Sequence, residues 1–325
     1  MSSKQQLLTF LEANRDKYLS GEDMAKELGL SRSAVWKAII NLRGDGYKIS
    51  AFPGKGYMLE EDNDILSLEG MSLFLDKKID KNLIHVYSTL DSTNQTAKEM
   101  AVSGAENGTL IIADKQTNGR GRRKRSFISP SGGIYMSFVL NSERFATIDH
   151  GVMITYAVNA VCEAIETVTG KHPQVKWMND IFLDGKKICG ILTESASDFE
   201  TGEIQWIVLG IGINFSISAK DFPKEIETIA ASIYKEGEEI SATRNELAAA
   251  IINKILSEKA FFDKRDILQK YRERLNMLGK RICIVSREGE IYAKAIDIDE
   301  EGCLIAECED GSTRHFSDGE ISVRV

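Results

Sequence analysis

The sequence lacks several features that would assign it to a common functional class. Its five cysteines are never spaced as Cys-x-x-Cys, and with four scattered histidines they form nothing that resembles a zinc site. No apolar run approaches the length that crosses a bilayer, and residues 1–10 lack the apolar core of a signal peptide. We therefore expect no metal-ligating residues, reduced thiols, no membrane partner and a cytoplasmic location.

Two catalytic signatures are also missing. The Gly-x-x-x-x-Gly-Lys-Ser/Thr spacing of a P-loop does not occur. No Ser/His/Asp or Cys/His set is apparent, so acyl transfer through an enzyme nucleophile is poorly supported. What remains is a globular composition over 325 residues, which predicts two to three domains. The net charge of −8 argues against bulk nucleic-acid binding, although a local basic face could still bind DNA.

The first sixty residues predict a winged helix-turn-helix. Residues 21–40 contain Ala25, Gly29 and Val35 at the places where two helices cross closely through a short turn. Two short strands around the Gly-rich turn 53–56 then form the wing. Nine Lys/Arg minus seven Asp/Glu give residues 1–60 a charge of +2. Residues near the start of the second helix are the candidates for DNA contact: Ser31, Arg32, Ser33, Trp36 and Lys37. The alternative is a winged helix used only for packing.

A basic septet, residues 119–125, reads Gly-Arg-Gly-Arg-Arg-Lys-Arg between two apolar strand-like runs. Five cations within seven residues, interleaved with glycines, can bring guanidinium groups and backbone N–H groups close to an anion. The competing interpretation is a solvated surface loop. We name this segment the arginine loop.

Polar side chains follow the predicted strands of the central region. They include Ser92 at a strand-to-helix junction, where with Gln95 it also fits a capping box, and Gln116 after an apolar strand. Alternate glycines in the strand 206–215 leave one sheet face bare for a ligand or another backbone. Amides, hydroxyls and many cations suggest a site for a small polar molecule plus phosphates, whose chemistry needs mainly positioning and charge neutralisation.

The order of the motifs resembles the bacterial biotin–protein ligases, in the bifunctional form that also represses the biotin operon. The resemblance covers essentially the whole chain. It rests on the winged helix and five later motifs: residues 91–94 (DSTN), 119–125 (GRGRRKR), 176–180 (KWMND), 185–192 (GKKICGIL) and 210–214 (GIGIN).

The resemblance implies a role for each matching residue. Biotin binding is expected of Ser92, Thr93, Asn94, Gln116, Arg120, Gly121, Arg122, Lys187 and Gly190. Nucleotide binding is expected of Arg120, Arg122, Phe127, Asn179, Asp180 and Asn214. Arg122 and Lys187 are expected to be catalytic, because they offset charge where the biotin carboxylate meets the α-phosphate. Without the resemblance, a lysine in an Asp-Gly turn such as Lys187 would be interpreted as solvated.

The implied reaction joins biotin to ATP with Mg²⁺ and then transfers biotin to a lysine of the biotin carboxyl carrier protein. The implied partners are this carrier, operator DNA and a second copy of the chain when the adenylate is bound. Two residues depart from the family pattern. Phe127 stands where the family often has tryptophan, and Met178 replaces a proline whose φ is fixed.

The expected fold class is α+β. We predict a winged helix-turn-helix at 1–62, a mixed-sheet α/β ligase domain at 63–275 and an SH3-like β-barrel at 276–325. Residues 243–275 read as helical, and the barrel carries either a capping role or a contact with nucleotide or carrier. Two other functions stay open. The chain could be a transcription factor that senses biotin without ligating it, or a ligase for a related acid such as lipoate.

Overall fold

The computed structural model describes residues 1–141, 150–197, 204–257, 263–286 and 289–323. The chain divides into two compact units, and each is described by itself. The first unit comprises residues 1–81 and 242–253, and the second comprises residues 82–241 and 254–325. The predicted boundaries at residues 62 and 275 stay predictions.

The first unit contains the predicted winged helix. Ser31 caps the recognition helix by accepting a hydrogen bond from the Ala34 N–H, and Gly29 ends the preceding helix in the left-handed conformation with φ +63°. Val35 and Ala25 are both buried, as the close crossing of the two helices requires. The elements of the first unit within residues 1–81 are α1 (Ser3–Glu12), α2 (Gly21–Leu28), α3 (Arg32–Gly44), β1 (Ile49–Phe52), β2 (Gly56–Leu59) and α4 (Leu68–Met71).

The remaining part of the first unit comes from residues 242–253, which include most of helix α7 (Arg244–Ile255). Arg244 donates to the Asp64 carboxylate at 2.9 Å, and Asn245 accepts from the Ser67 N–H at 3.0 Å. The segment after the wing is therefore fixed to this helix by side-chain hydrogen bonds. The expectation of one helical stretch over 243–275 is wrong, because α7 ends at Ile255 and α8 (Lys264–Arg274) begins after an Asp263 cap.

A mixed seven-stranded sheet forms the centre of the second unit. The strand order is β3-β4-β5-β9-β8-β7-β6, in which β3 and β4 are parallel and the other neighbours are antiparallel. Helix α5 (Thr93–Val102) packs on β4, β5 and β9. The strands are β3 (Ile84–Leu90), β4 (Leu110–Gln116), β5 (Gly133–Asn141), β6 (Gln174–Lys176), β7 (Asp180–Leu183), β8 (Lys186–Ser197) and β9 (Ile204–Asn214).

Helix α6 (His150–Thr169) corrects one expectation from the sequence. Its stretch Gly151–Thr169 is long and apolar enough to cross a membrane by length and composition, with a mean hydropathy of 1.2. However, 72% of that stretch is buried within the protein, as in the core helix of a globular fold. The apolar periodicity of the sequence predicts a helix over residues 147–169, of which residues 147–149 lie outside the described residues.

The C-terminal part of the second unit is a five-stranded antiparallel sheet in the order β13-β12-β11-β10-β14. This confirms the predicted short strands, while closure into an SH3-like barrel stays a prediction. The sheet contacts the central part, since Trp177 Nε1 donates to the Gly302 carbonyl at 2.9 Å. The strands are β10 (Arg281–Ser286), β11 (Gly289–Ile298), β12 (Leu304–Cys308), β13 (Thr313–Phe316) and β14 (Glu320–Val323).

Candidate functional site

One cavity of about 170 Å³ in the second unit brings together the polar strand ends and the arginine loop. Residues of the C-terminal sheet, Gly319 and Ile321, also line it. Predicted ligand-binding residues in its lining are Ser92, Thr93, Asn94, Gln116, Arg120, Gly121, Arg122, Phe127, Asn179, Asp180, Lys187 and Gly190. Their contacts with ligands stay predictions, but residues far apart in the chain do converge at one place.

Asn214 is the exception among the predicted nucleotide-binding residues, because the cavity lining does not include it. Its side chain is buried at the end of β9, where Nδ2 donates to the Ala231 carbonyl at 3.1 Å. Its Oδ1 is buried and has no hydrogen-bond partner among the residues that the structure describes. Asn214 therefore anchors the neighbouring segment, and a contact with nucleotide stays a prediction.

A group of four polar side chains, which we call the polar wall, stands at one side of the cavity: three of them line it, and Ser137 supports two of these from outside the lining. Three of its members are almost fully buried, and Gln116 is half-buried. Gln116 Oε1 accepts from the Thr93 N–H at 2.8 Å, and Gln116 Nε2 donates to Ser129 Oγ at 2.9 Å. The polar wall consists of Thr93, Asn94, Gln116 and Ser137.

Asn94 and Ser137 complete the polar wall. Ser137 Oγ lies 2.7 Å from Asn94 Oδ1 and 2.8 Å from Thr93 Oγ1. Asn94 Nδ2 donates to Glu194 Oε2 at 3.0 Å, and Lys98 pairs with the other Glu194 oxygen. These partners hold the amide in one orientation, because each of its polar atoms is satisfied by the protein. Ser137 was not predicted as a site residue, and its one signal is a hydroxyl within the apolar strand β5.

Ser92 has the structural role that the sequence allowed. It is the N-cap of α5 and accepts from the Gln95 N–H at 3.4 Å. The reciprocal half of the predicted capping box is wrong, because the Gln95 side chain donates to Glu99 instead. Ser92 also lines the cavity, so capping and ligand contact are compatible for this residue.

Glycines of β8 and β9 admit side chains onto the sheet face. A Cβ at Gly210 would lie 2.0 Å from Asn94 Oδ1, and a Cβ at Gly212 would lie 2.6 Å from the Phe127 ring. The bare face that the alternate glycines predicted is therefore covered by Asn94 and Phe127. The Phe127 ring also meets Tyr135 edge-on, with 6.3 Å between ring centroids.

The other side of the cavity, which we call the charged rim, consists of Arg122, Arg123, Asp180 and Lys187. Lys187 Nζ pairs with Asp180 Oδ1 at 2.6 Å. A Cβ at Gly190 would lie 3.3 Å from Lys187 Nζ, so the glycine leaves room for the ammonium group. The Lys187 N–H donates to the Ile229 carbonyl at 2.8 Å, and the Lys187 carbonyl accepts from the Ala231 N–H at 2.9 Å. The lysine is thus placed by backbone hydrogen bonds and an ion pair, and is not simply solvated.

The arginine loop is closed at its base by hydrogen bonds. Phe127 N–H donates to the Gly119 carbonyl at 2.9 Å, and Gly121 N–H donates to the Arg125 carbonyl at 2.8 Å. A Cβ at Gly119 would come within 2.4 Å of the Phe127 carbonyl oxygen, so this position requires glycine. Arg120 and Arg122 line the cavity as expected.

Arg123 and Arg125, which the sequence alone leaves as surface charge, are exposed, but they are also part of the site. Both line the cavity, and Arg123 Nη1 donates to the Val285 carbonyl at 3.0 Å. Arg122 Nη1 donates to Asn179 Oδ1 at 3.0 Å, which joins the loop to the turn of residues 176–180. No local pattern signals the contact between Arg123 and Val285, since they are 162 positions apart.

The turn that contains Met178 is held from two directions. Trp177 donates to Gly302, as described above, and the Met178 carbonyl accepts from Tyr271 Oη at 2.8 Å. Burial raises the pKa of Tyr271 well above its ordinary value, so its hydroxyl keeps the proton that it donates. Asn179 Nδ2 donates to the Ile191 carbonyl at 2.7 Å. Asn179 and Asp180 are therefore in place without the proline.

The predicted DNA-contacting residues share an exposed face of α3. Trp36 is 55% exposed, and Arg32, Ser33 and Lys37 are exposed around it. Ser31 Oγ lies 3.0 Å from Ser33 Oγ at the helix start. A tryptophan exposed to this extent among cations is compatible with the predicted contact to DNA.

Comparison with known proteins identifies the class. Residues 86–214 match the Biotin/lipoate A/B protein ligase family, residues 3–58 match an HTH domain, and residues 277–324 match the Biotin protein ligase C terminal domain. A solved structure of the biotin protein ligase from Aquifex aeolicus in complex with biotin and ATP is similar, with 27% identity and a TM-score of 0.62. The match covers 74% of this chain and 98% of the Aquifex aeolicus chain. The fold is that of the biotin protein ligase class.

Relatives that match over nearly the full length refine this class. The bifunctional ligase/repressor BirA of Bacillus subtilis (strain 168) is 33% identical over 97% of this chain and 97% of the relative. The bifunctional ligase/repressor BirA of Escherichia coli (strain K12) is 29% identical over 94% of this chain and 92% of the relative. The chain belongs to the bifunctional ligase/repressor family of biotin protein ligases.

Proposed function

We propose that the protein activates biotin with ATP, transfers it to a lysine of a biotin carboxyl carrier protein, and represses transcription with the adenylate as corepressor in the cytoplasm. The observation that carries this proposal is the convergence of the family motifs on one cavity in a chain that matches bifunctional relatives over 97% of its length. In the first step a biotin carboxylate oxygen attacks the α-phosphorus, and the bond to pyrophosphate breaks. In the second step the acceptor amine attacks the acyl carbon, and AMP leaves.

The two sides of the cavity suit the two halves of the adenylate. The polar wall offers neutral donors and acceptors fixed in orientation, which suits the ureido group of biotin. Arg122 and Lys187 of the charged rim lie where anionic groups need compensation. Their charges stabilise the transition state more than the separated substrates, because charge concentrates as carboxylate and phosphate meet.

The cavity must enlarge for both substrates to bind. Its volume of about 170 Å³ is below the roughly 300–1,000 Å³ typical of ligand pockets. Phe127 covers Gly212 and adjoins Gly190 within it. We infer that the Phe127 ring and the arginine loop move when ligands enter, which would place Phe127 to stack on adenine.

Magnesium fits the residues present as an ion carried by the nucleotide. Within the described ranges no group of three or more His, Cys, Asp or Glu side chains could hold a metal. Asp180 is the acidic residue in the cavity lining, and Mg²⁺ commonly uses one or two carboxylates together with substrate phosphates. Asp180 would hold the ion, which when bound neutralises phosphate charge. Until then its carboxylate holds Lys187 in place.

Biotin-dependent exchange of pyrophosphate into ATP tests the ligase function. We expect exchange with biotin and none with lipoate, since the polar wall presents amide groups to a ureido ring. Biotin binding without exchange would support a sensor that does not ligate, and exchange with lipoate alone would support the related ligase. Either result would overturn the proposal.

Operator binding tests the repressor function. We infer that the adenylate promotes a homodimer, because a unit with a charge of +2 over residues 1–60 has few phosphate contacts to offer alone. Sedimentation with adenylate and DNA should show a dimer on the operator. A Trp36→Ala variant should lose operator affinity and keep pyrophosphate exchange. A monomer with adenylate and DNA present would contradict the dimer.

A further inference from the structure

The C-terminal sheet reaches the arginine loop through one carboxylate. Asp318 lies directly before Gly319 and β14, and its Oδ1 accepts from Arg122 Nη2. Its Oδ2 lies 3.4 Å from Arg123 Nη2. One carboxylate therefore pairs with two adjacent guanidinium groups, and Gly319 beside it lines the cavity.

Arg122 connects this carboxylate to the central sheet. While Nη2 contacts Asp318, Nη1 donates to Asn179, which is itself fixed to the Ile191 carbonyl of β8. A guanidinium carries five N–H donors, and these contacts use two of them. Arg122 can thus stay anchored at both sheets and still donate to an anion in the cavity that it lines.

Arg123 provides a second attachment of the loop to the C-terminal sheet. Its Nη1 donates to the Val285 carbonyl of β10 at 3.0 Å. Its backbone is in the left-handed region, with φ +54° and ψ +38°. This conformation is unfavourable for a residue with a Cβ, and the contacts of the Arg123 side chain offset that cost.

The charge state of Asp318 favours such a contact at neutral pH. Burial works against ionisation, but the charges of Arg122 and Arg123 outweigh it, so the pKa of Asp318 is lowered. The carboxylate also reduces the repulsion between the two neighbouring guanidinium groups. Its side chain is 48% exposed, which limits the strength of each pair.

We propose that Asp318 is a positioning residue of the C-terminal sheet, which holds the arginine loop so that Arg122 faces the phosphate of the adenylate. It acts through Arg122 and Arg123 and has no contact with the reacting atoms. Its effect on catalysis rests on the proposed function, and its effect on the loop rests only on the contacts of Asp318 with Arg122 and Arg123.

The loop itself gives the first test, which needs no substrate. Amide hydrogen exchange of Gly121, Arg125 and Phe127 should be about fivefold faster in Asp318→Asn than in the wild-type protein, as expected for a half-exposed ion-pair network. Glu309→Gln is the matched control, because Glu309 is exposed in the β12–β13 turn and has no bond to the loop among the described residues. Unchanged loop exchange in Asp318→Asn overturns the proposal, whatever the protein catalyses.

The second test measures the adenylate. Dissociation of biotinyl-5′-AMP should be about fivefold faster in Asp318→Asn, and added salt should reduce this difference. Asp318→Glu, which keeps the charge, should recover most of the wild-type value. If amide exchange in the loop becomes faster while dissociation of the adenylate stays unchanged, the catalytic part of the proposal is refuted. If the wild-type protein forms no adenylate, the proposed function fails while the loop test still decides the contact.

A folding defect is separated from a positioning effect within the same exchange experiment. Amides of β10 and β11 should keep wild-type protection in Asp318→Asn, because the pair lies outside their strand hydrogen bonds. Arg123→Gln provides a second variant, since it removes the Val285 and Asp318 contacts from the loop side. Faster loop exchange with protected strands in both variants supports the proposal. If the strand amides lose protection together with the loop amides in both variants, the contact only stabilises the sheet, and the proposal is overturned.

Discussion

The two sides of the cavity are built by opposite physical means. The polar wall is uncharged and buried except for the half-buried Gln116, and its members satisfy one another at distances of 2.7–3.1 Å. The charged rim is half exposed, and its members are held by ion pairs such as that between Lys187 and Asp180. A buried neutral network depends on geometry and burial, whereas exposed ion pairs depend on charge and are screened by salt.

This difference separates binding from chemistry. A pre-formed polar wall can select a neutral ring without reorganising, because its donors and acceptors already point in fixed directions. A rim made of exchangeable ion pairs can release Lys187 from Asp180 and accept phosphate oxygens at similar cost. The wall should therefore determine affinity for the acid, and the rim should determine the rate and the retention of the adenylate.

Removal of the Lys187 charge should give the largest effect. Lys187→Met should lower the rate of biotin-dependent pyrophosphate exchange by about 10²–10³-fold, since a charge aimed at the reacting groups is lost. Biotin affinity should change much less, because the polar wall is intact. Lys186→Met is the matched control, as Lys186 donates to the Glu227 carbonyl and does not line this cavity. Equal rates for the two variants would contradict the assignment.

Crowding of the polar wall should give the next largest effect. In Gly210→Ala the new Cβ would lie 2.0 Å from Asn94 Oδ1, so Asn94 must leave Ser137 and Glu194. Biotin affinity by calorimetry should fall by about 10²-fold, the loss typical of a group misplaced by 1 Å.

Gly44→Ala serves as its control, because an added Cβ there meets nothing within 4 Å. This variant should bind biotin as the wild-type protein does. If Gly210→Ala binds biotin normally, the orientation of Asn94 is not what determines affinity, and the comparison between wall and rim fails.

The sequence predicted those parts of the fold that depend on local patterns. The winged helix, the strand ends and the Asp184–Gly185 hairpin turn follow from spacing and turn residues, and both turn residues have positive φ. The break between α7 and α8 was missed, because apolar residues recur at helical spacing on both sides of it. Periodicity alone cannot tell one long helix from two.

The site was predictable as a set of motifs and unpredictable as a set of contacts. Ser137 and Asp318 had no motif, since each acts on residues 43 or more positions away. The glycines of β9 did signal a close approach, but the pattern could not say that Asn94 and Phe127 make it. Arg123 was interpreted as surface charge because its partner, Val285, belongs to a different sheet.

Loss of the guanidinium at 122 should give an intermediate effect. Arg122→Gly removes a cation that is 27% exposed, so dissociation of the adenylate should be about tenfold faster. The released intermediate should label lysines of non-cognate proteins. Unchanged adenylate dissociation would rule out a retaining role for Arg122. Because the contact is charged, the difference from wild type should shrink as salt is raised from 0.05 to about 0.5 M.

Removal of the Ser137 hydroxyl should give the smallest effect and the sharpest test of the comparison. Ser137 is fully buried, and in Ser137→Ala the Asn94 and Thr93 oxygens lose a neighbour at 2.7 and 2.8 Å. One such neutral hydrogen bond contributes about 1 kcal/mol, so biotin affinity should fall about fivefold. This loss should be the same at low and high salt, because no charge changes and the site is buried. If the Ser137→Ala effect shrinks with salt as the Arg122→Gly effect does, wall and rim are not distinct, and both act through the electrostatics of one loop.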